Sequence, residues 1–468
     1  MDATVTRRSH TFAVIAGLAA VYFLTGKLGL MLAFVHPSVT AVWPPTGITL
    51  AAFLMFGYEV WPGIFLGAFL VNIATAGSVP ICLGIAAGNT LEGLIGAYLV
   101  NKHAGGRHFI DRTSNILRFA VLAGVISTAV SATIGVTSLT FGGYAKWTNF
   151  GSIWATWWLG DAAGALVIAP LILLWISRPK LGWRWTQSTE AVALVVCLVI
   201  TGLVVFGGLF LGGAKDYPLE YLCIPFLMWA AFRFGPREAA TATLILSGIA
   251  IWGTFHDWGP FAAGTRSGSF FLLQAFIGVV AVMTLSLGVL FAEHQNAEAQ
   301  ARILAVSDPL TGLGNYRKLI ETVEQEIRRS DRTGRPFVLL LMDLDGLKEI
   351  NDTCGHLVGS RALCRLAQVL RIHSRSIDTA VRHGGDEFAL IIPEADDRAA
   401  RQVSHRITKR LAEDKEAPPL SVSIGGAMCP RDGETLDLLL RSADLALYED
   451  KRRHHLSGFE SGPRRVWK

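Results

Sequence analysis

Residues 379–392 read Thr-Ala-Val-Arg-His-Gly-Gly-Asp-Glu-Phe-Ala-Leu-Ile-Ile. Two strand-forming runs flank Gly384-Gly385-Asp386-Glu387, which predicts a hairpin whose tip carries two glycines and two carboxylates. Glycines let the backbone turn tightly and let a bulky anion approach it. Carboxylates supply the hard oxygen ligands that Mg²⁺ prefers. The stretch therefore predicts a strand hairpin that suits a metal-bound phosphate.

A second source of carboxylates lies upstream. The run Phe337-Val-Leu-Leu-Leu-Met-Asp343-Leu-Asp345 is apolar and ends in two aspartates. The pattern predicts a strand whose end meets the hairpin tip, so that two strand ends share one cation. The alternative is that Asp343 and Asp345 only terminate a strand.

The rest of the C-terminal region shows an alternation of helical and strand patterns. Helices are predicted over 315–332, 355–373, 396–414 and 435–453, and strands over 337–343, 378–383, 387–393 and 420–429. Helices packed on one face of a mostly antiparallel sheet give an α+β fold.

Four motifs occur in order in this region: Asp308-Pro-Leu-Thr-Gly-Leu-Gly-Asn315, the stretch from Asp343 to His356, the hairpin tip, and Ser442-Ala-Asp-Leu-Ala-Leu-Tyr-Glu-Asp-Lys451. Together they resemble the GGDEF family of diguanylate cyclases. The resemblance implies a cyclase-like catalytic domain over 307–455 that condenses two GTP into cyclic di-GMP and two pyrophosphates. Each chain would hold one GTP, so the resemblance also implies a homodimer, with Mg²⁺ or Mn²⁺ as the cofactor.

The same resemblance implies roles for individual residues. The metal ligands would be Asp343, the Leu344 carbonyl and Asp386, and Glu387 would assist metal binding or activate the attacking hydroxyl. Substrate contacts would come from the following residues: Gly384 and Gly385 near the phosphates, Asn351 at guanine, and Lys348 and Lys451 at the triphosphate. Inhibitory product would bind at Arg375 and Asp378, with Arg382 in the same stretch.

The chain departs from the family pattern at three places. Ser360 stands where a second guanine-binding aspartate is usual, and a hydroxyl lacks the charged two-oxygen acceptor of a carboxylate. Leu347 replaces a phenylalanine, and His454-His455 replaces Gly-Arg. These changes leave open a second function, a catalytically weak or silent receptor of GTP or cyclic di-GMP that signals by protein contact.

The N-terminal region has the composition of a membrane protein. The 468 residues are 51% hydrophobic with 13 Trp, and the mean hydropathy is +0.42. Eight to ten spans are predicted within a membrane domain over 11–292. The ten candidate spans are 11–35, 42–58, 60–78, 81–101, 114–139, 152–176, 189–212, 217–232, 237–256 and 268–292.

The distribution of basic residues predicts the orientation of these spans. Lys and Arg are concentrated in alternate loops, so the positive-inside rule places both termini in the cytoplasm of a bacterial cell, with the bundle in its inner membrane. The first helix lacks a signal-peptide cleavage site and is expected to remain as an anchor. Six cysteines without metal-ligand spacing predict reduced thiols and no zinc site, and the net charge of +5 gives no indication of nucleic-acid binding.

Polar residues within the apolar stretches form a second set of motifs. The order Trp43-Pro-Pro-Thr-Gly47, Trp61 to Asn72, Asn89-Thr-Leu-Glu92 and Trp158-Leu-Gly-Asp161 resembles the MASE type-one family of integral-membrane sensor domains. That resemblance implies a sensory module acting on the catalytic domain. Lys27, Asn72, Asn89, Glu92 and Asp161 are functional candidates or interhelical hydrogen-bonding groups. A transporter is the alternative for this region.

Two short segments complete the domain organisation. Residues 293–304 contain helix formers and no Gly or Pro, so the last membrane helix is expected to continue into a stalk over 293–306. Residues 456–468 form a basic tail.

Overall fold

The computed structural model describes residues 2–31, 40–75, 78–177, 183, 185–208, 218–263 and 266–458. Residues 459–468 of the predicted tail lie outside these ranges, as do the side chains of His454 and His455. The chain divides into two compact units, Met1–Asn296 and Ala297–Lys468.

The first unit is helical. Its helices are α1 Asp2–Leu30, α2 Pro44–Phe56, α3 Trp61–Ile73, α4 Val79–His103, α5 Thr113–Phe119, α6 Thr128–Phe141, α7 Phe150–Ser177, α8 Trp185–Phe206, α9 Ile224–Arg233, α10 Pro236–Phe255 and α11 Arg266–Val306. A π-helical stretch, Ala120–Ser127, joins α5 to α6, so the two form one long apolar rod. Helix α11 includes residues 293–304, and the role of stalk predicted for them stays a prediction.

Within the described residues, seven of the helical segments are long and apolar enough to cross a membrane. The multi-pass helical prediction is therefore confirmed, but the number of ten spans is too high by this criterion. The predicted spans 42–58, 60–78 and 217–232 correspond to the shorter helices α2, α3 and α9. Helices α2 and α3 have 13 residues each, about 20 Å of length, whereas the hydrocarbon core is roughly 30 Å thick.

Helix α2 begins inside the bundle because its first two residues, Pro44 and Pro45, have no N–H with which to continue a preceding helix. The extended residue before them, Trp43, donates its backbone N–H to the Gly160 carbonyl of α7 at 2.9 Å. This contact fixes the start of α2 against the middle of α7. The hydroxyl of Thr46 is thereby placed beside the carboxylate of Asp161, at 3.2 Å.

The second unit is an α+β domain, as predicted. Its elements are α12 Tyr316–Thr333, β1 Phe337–Leu344, α13 Leu347–Cys354, α14 His356–His373, β2 Thr379–Arg382, β3 Glu387–Pro393, α15 Asp397–Ala412, β4 Val422–Cys429 and α16 Leu436–Gly458. The strands form one sheet in the order β2-β3-β1-β4, and each neighbouring pair is antiparallel. Helix α13 was not predicted, since its eight residues are too few to show a clear helical period.

Helices cover both faces of this sheet, so the prediction of helices on one face is wrong. Val338, Leu340 and Met342 pack with α14 and α15 in one apolar cluster. Phe337, Leu339 and Leu341 pack with α12 and α16 in another. The sequence carries the reason, because β1 is apolar at every position from 337 to 342 and all eight strand residues are buried. A strand with one solvated face alternates apolar with polar residues, and β1 does not.

Candidate active site

The ends of β1 and β3 bring the predicted metal ligands together. Asp343 is directly opposite Glu387 in the β1–β3 ladder. One step further, the Leu344 amide donates to the Asp386 carbonyl at 3.0 Å. Asp343 is only 8% exposed, whereas the Glu387 side chain is exposed. The two strand ends therefore converge as predicted, with one buried and one accessible carboxylate.

At the hairpin tip, glycine is not required by an unusual turn, and only Gly384 is required by lack of space. Neither Gly384 nor Gly385 has a positive φ. A Cβ added at Gly384 would lie 2.4 Å from Oε2 of Glu387, so a side chain there would displace this carboxylate. A Cβ added at Gly385 would meet no atom within 4 Å. The backbone at Gly385 is thus open to a bound molecule.

Arg382 stabilises the hairpin tip through hydrogen bonds to its backbone. Its Nη2 and Nε atoms donate to the Gly385 carbonyl at 2.7 and 3.2 Å. Its Nη1 atom lies 3.2 Å from each carboxylate oxygen of Asp308, which also accepts from the amide and hydroxyl of Thr311. The guanidinium predicted to help bind product is therefore engaged in positioning the tip.

Lys451 reaches the site from α16. Its Nζ atom lies 2.8 Å from Oδ2 of Asp343. Helix α16 can approach the sheet this closely because β4 has Gly425, where an added Cβ would lie 2.1 Å from the Leu447 backbone nitrogen. Ala443, Leu447 and Lys451 are spaced four residues apart and share one helix face. This spacing was a sequence signal for the contact, although only a triphosphate role was predicted for Lys451.

The charges at the strand ends influence one another. Partial burial and the neighbouring carboxylates of Asp386 and Asp345 raise the pKa of Asp343, although the ion pair with Lys451 opposes this rise. Partial burial lowers the pKa of Lys451, but the contact with Asp343 and the nearby carboxylates outweigh it, so the net pKa is raised. Lys451 is therefore held as a cation among several carboxylates. These carboxylates outnumber the lysine, so a bound metal cation would further balance their negative charge.

Two neighbouring side chains support the arrangement. His383 Nδ1 lies 3.7 Å from Oε2 of Glu387, and burial lowers the pKa of this histidine, so it is neutral at pH 7. Both carboxylate oxygens of Asp345 accept hydroxyl hydrogen bonds of 2.8 Å, one from Ser421 and one from Ser423. Asp345 therefore supports the fold at the end of β1, which is one of the roles considered for it from the sequence.

The predicted guanine-binding residues also lie together. The Asn351 side chain lies directly over Gly359, where an added Cβ would be 1.9 Å from Oδ1 of Asn351. Ser360 follows on α14 and is partly exposed, and Lys348 is exposed on α13. The close approach of α13 to α14 at Asn351 thus depends on the absence of a side chain at position 359.

The predicted product site forms a local turn. The Arg375 amide donates to Oδ2 of Asp378 at 2.7 Å, and the Asp378 amide donates back to the Arg375 carbonyl at 3.1 Å. Oδ1 of Asp378 is buried without a hydrogen-bond partner in the described part of the chain. The Arg375 side chain is exposed. Its predicted role, like those of the other site residues, stays a prediction.

The donor atoms at the strand ends suit a hydrated divalent ion. Among the described residues, no group of three or more His, Cys, Asp or Glu side chains is arranged to hold a metal. Mg²⁺ does not need such a group, because it commonly keeps several waters and binds through one or two carboxylates plus substrate phosphates. The carboxylates of Asp343 and Asp386, together with the backbone carbonyl of Leu344, fit that mode.

A multi-pass helical unit followed by an α+β domain with carboxylates at its strand ends defines a membrane protein with a cyclase-like domain. The chain belongs to the MASE1 family, whose model matches residues 13–295. The model of the diguanylate cyclase GGDEF domain matches residues 305–456. Both family resemblances seen in the sequence are therefore confirmed.

Known proteins are similar to this chain over different lengths. The bifunctional diguanylate cyclase/cyclic di-GMP phosphodiesterase MucR of Pseudomonas aeruginosa is 29% identical over 423 residues, which cover 88% of this chain and 55% of MucR. The diguanylate cyclase DosC of Escherichia coli is 38% identical over 189 residues, 39% of each chain. The crystal structure of the diguanylate cyclase SiaD from P. aeruginosa, in complex with its activator SiaC, matches with a TM-score of 0.32 and 33% identity, covering 35% of this chain and 64% of that one. The chain thus spans less than two thirds of the length of each of these relatives.

Proposed function

We propose that this protein is a membrane-bound diguanylate cyclase that condenses two GTP into cyclic di-GMP and two pyrophosphates. The observation that carries the proposal is the pairing of Asp343 with Glu387 across β1 and β3, next to Asp386. It supplies carboxylates of two kinds, one buried and one accessible. The GGDEF family match over residues 305–456 supports the same reaction.

The chain's own residues would divide the work as follows. Asp343, Asp386 and the Leu344 carbonyl would hold Mg²⁺ or Mn²⁺, which when bound neutralises charge on the phosphates and the leaving group. Glu387, exposed and close to the neutral His383, would take part in metal binding or accept the proton of the attacking 3′-hydroxyl. Gly385 leaves its backbone open to the phosphates, and Lys348 and Lys451 would balance their charge.

The reaction requires two copies of the chain. Each GTP offers its 3′-hydroxyl to the α-phosphate of the other, so two phosphodiester bonds form, two pyrophosphates leave and two protons are released. One chain carries one predicted guanine site, at Asn351 and Ser360, so we propose a homodimer for catalysis. Both termini would be cytoplasmic, where GTP is available, with the membrane domain in the inner membrane.

Regulation is proposed at two places. The membrane domain would receive a signal, as the MASE1 family match over residues 13–295 supports. Cyclic di-GMP would bind at Arg375 and Asp378, where an exposed guanidinium lies next to a buried carboxylate oxygen that has no partner in the described part of the chain. Guanidinium suits phosphate and guanine edges, and carboxylate accepts from guanine.

The test is synthesis of cyclic di-GMP by the full chain in lipid nanodiscs with GTP and Mg²⁺, measured by mass-resolved chromatography. We expect product from the wild type and a loss of about a hundredfold or more in Asp386→Asn, because metal-borne charge stabilisation is worth several kcal/mol and each 1.36 kcal/mol is a factor of ten. Asp437→Asn, the same change at an exposed residue of α16, is the matched control. Full activity in Asp386→Asn would contradict the metal assignment.

A silent receptor is the second candidate, and Ser360 is the observation that favours it. Its hydroxyl replaces a carboxylate beside Asn351 and would weaken guanine binding. Absence of product in the wild type, together with saturable binding of GTP or cyclic di-GMP, would support the receptor. Recovery of synthesis in Ser360→Asp would assign the defect to this one side chain.

A further inference from the structure

Two carboxylates lie deep in the membrane unit. Glu92, from the middle of α4, is 2% exposed and Asp161, from the middle of α7, is 1% exposed. The hydroxyl oxygen of Thr46 lies 3.2 Å from Oδ1 of Asp161 and 3.5 Å from Oε2 of Glu92. One hydroxyl has one proton to donate, so Thr46 satisfies only one of the two carboxylates at a time.

The outer oxygens of this pair have no donor. The second oxygen of each carboxylate, Oε1 of Glu92 and Oδ2 of Asp161, is buried without a hydrogen-bond partner in the described part of the chain. No Lys, Arg or His forms an ion pair with either carboxylate among the residues that the structure describes. Burying an unpaired carboxylate is costly, and most of all at membrane depth, where water cannot solvate the charge.

The nearest polar side chains are engaged with one another. Ser131 donates to Oδ1 of Asn89 at 2.8 Å, Asn89 donates to the Tyr22 hydroxyl at 2.8 Å, and Trp157 Nε1 donates to Ser131 at 3.2 Å. Ser131 also lies close enough to interact with both carboxylates, and Trp157 with Asp161, but these donors are neutral and carry no positive charge. The positive end of α2, at Thr46, contributes only about half a charge against two carboxylates. A further positive charge is needed to balance the pair.

The adjoining space is small. A cavity of about 20 Å³ is lined by Asp161, Asn89, Thr40, Trp43 and Trp157, among others. A cavity needs roughly 10–15 Å³ in this measure to hold one water molecule, so the space suits an ion or a water and no organic solute. The cavity adjoins the interrupted start of α2, and broken helices that line a cavity are a recurrent setting for ion sites in membranes.

We propose that Asp161, which lines this cavity, binds one small hard metal cation of the Na⁺ class in the membrane domain, with the buried carboxylate of Glu92 nearby across Thr46. The available ligand atoms are carboxylate and hydroxyl oxygens, with no sulfur or imidazole among the described neighbours that line the cavity. Oxygen donors select hard cations over zinc and other softer metals. This proposed cation site in the membrane domain does not depend on the proposed cyclase activity.

The test is the thermal stability of the purified full chain in detergent, followed by tryptophan fluorescence at pH 8. NaCl is titrated against choline chloride at constant ionic strength, and LiCl and KCl are titrated in the same way. A ligand that binds only the folded state raises the melting temperature by mass action. We expect a saturable rise with at least one of the three metal ions and none with choline.

Asp161→Asn and Glu92→Gln keep the shape of each side chain and remove one charge. Each variant is expected to raise the half-saturating metal concentration by about tenfold or more, or to abolish the metal-dependent rise in melting temperature. Glu59→Gln, the same change at an exposed residue, should respond as the wild type does. If one site variant fails to fold, the other decides.

Three results would overturn the proposal. The first is a wild-type melting temperature that no metal ion raises above choline. The second is a site variant that folds and keeps the full response. The third is stabilisation by lowered pH in choline alone, lost in the same variants, which would identify a proton rather than a metal ion as the occupant.

Discussion

Buried carboxylates occur in both units of this protein, and they are compensated in different ways. In the α+β unit, Asp343 lies 2.8 Å from the ammonium of Lys451. In the membrane unit, Glu92 and Asp161 share the single hydroxyl of Thr46 and form no ion pair with a basic side chain in the described residues. The chain itself supplies the cation in the first case and must obtain it from solution in the second.

The difference has a physical consequence for how each place is assembled. An internal ion pair holds its carboxylate before any ligand arrives, and removing one partner leaves the other charge exposed to the full cost of burial. A carboxylate pair without an internal cation is instead stabilised in proportion to the occupancy of a bound one. The strand ends of the α+β unit are therefore preorganised by the sequence, whereas the membrane pair is sensitive to its ionic surroundings.

Among the variants that alter this comparison, Lys451→Met should give the largest loss of activity, because it leaves Asp343 without its counter-charge. A hydrogen bond to a charged group contributes about 1.5–3 kcal/mol, less where solvent screens it, so we expect about a tenfold loss of cyclic di-GMP synthesis. The measurement is the initial rate for the full chain at saturating GTP and Mg²⁺.

Lys451→Arg is the matched control for this variant, since it keeps the positive charge. It should retain more activity than Lys451→Met, although the planar guanidinium does not reproduce the ammonium geometry. Equal loss in both variants would mean that the shape of the lysine, and not its charge, matters to Asp343. The two carboxylate environments would then be less different than their contacts indicate.

The sequence predicted the two strand ends but not what surrounds them. The apolar run before Asp343 and the glycines of the hairpin each identify a strand end locally, and their convergence follows from antiparallel pairing. The contact of Lys451 with Asp343 depends on how closely α16 approaches β4 at Gly425. Such a distance is set by packing between segments far apart in sequence, which local patterns do not report.

The membrane unit shows the same limit in another form. Glu92 and Asp161 are conspicuous in the sequence because charge is costly in an apolar helix. Their meeting at Thr46 required α2 to begin inside the bundle, and the prediction of a full span over 42–58 missed this. A hydropathy pattern identifies apolar residues well, whereas the depth at which a helix begins depends on its neighbours.

An intermediate effect is expected for Asp308, because its cation, the Arg382 guanidinium, also donates to the Gly385 carbonyl. Burial raises the pKa of Asp308, but the hydrogen bonds from Thr311 and Arg382 lower it more, so the net pKa is below its ordinary 3.8. A carboxyl with a lowered folded pKa contributes stability above the unfolded pKa and loses it as the pH falls through the folded value. Asp308→Asn should therefore destabilise the hairpin tip at pH 7, by roughly 1–3 kcal/mol, and much less at about pH 3.

The measurement for Asp308→Asn is hydrogen exchange of residues 379–392 at both pH values, corrected for intrinsic rates. Asp352→Asn, an exposed aspartate of α13, is the control and should leave exchange unchanged. Asp343 has the opposite pH dependence. Its pKa is raised in the folded state, so its contribution to stability is lost as the pH rises through the folded pKa. A protection difference for Asp308→Asn that grows on acidification would contradict the proposed ion pair.

The smallest effect concerns hydroxyl donors to a carboxylate, one exposed and one buried. Asp345 accepts from the exposed hydroxyl of Ser421 and from the hydroxyl of Ser423, which is 0% exposed. Ser423→Ala should cost about 1 kcal/mol and Ser421→Ala only a few tenths, because water replaces the exposed donor but not the buried one. Hydrogen exchange of residues 422–429 would measure both. Equal costs would show that burial does not decide the value of the donor, and would weaken the argument that Asp161, 1% exposed, needs more than the hydroxyl of Thr46.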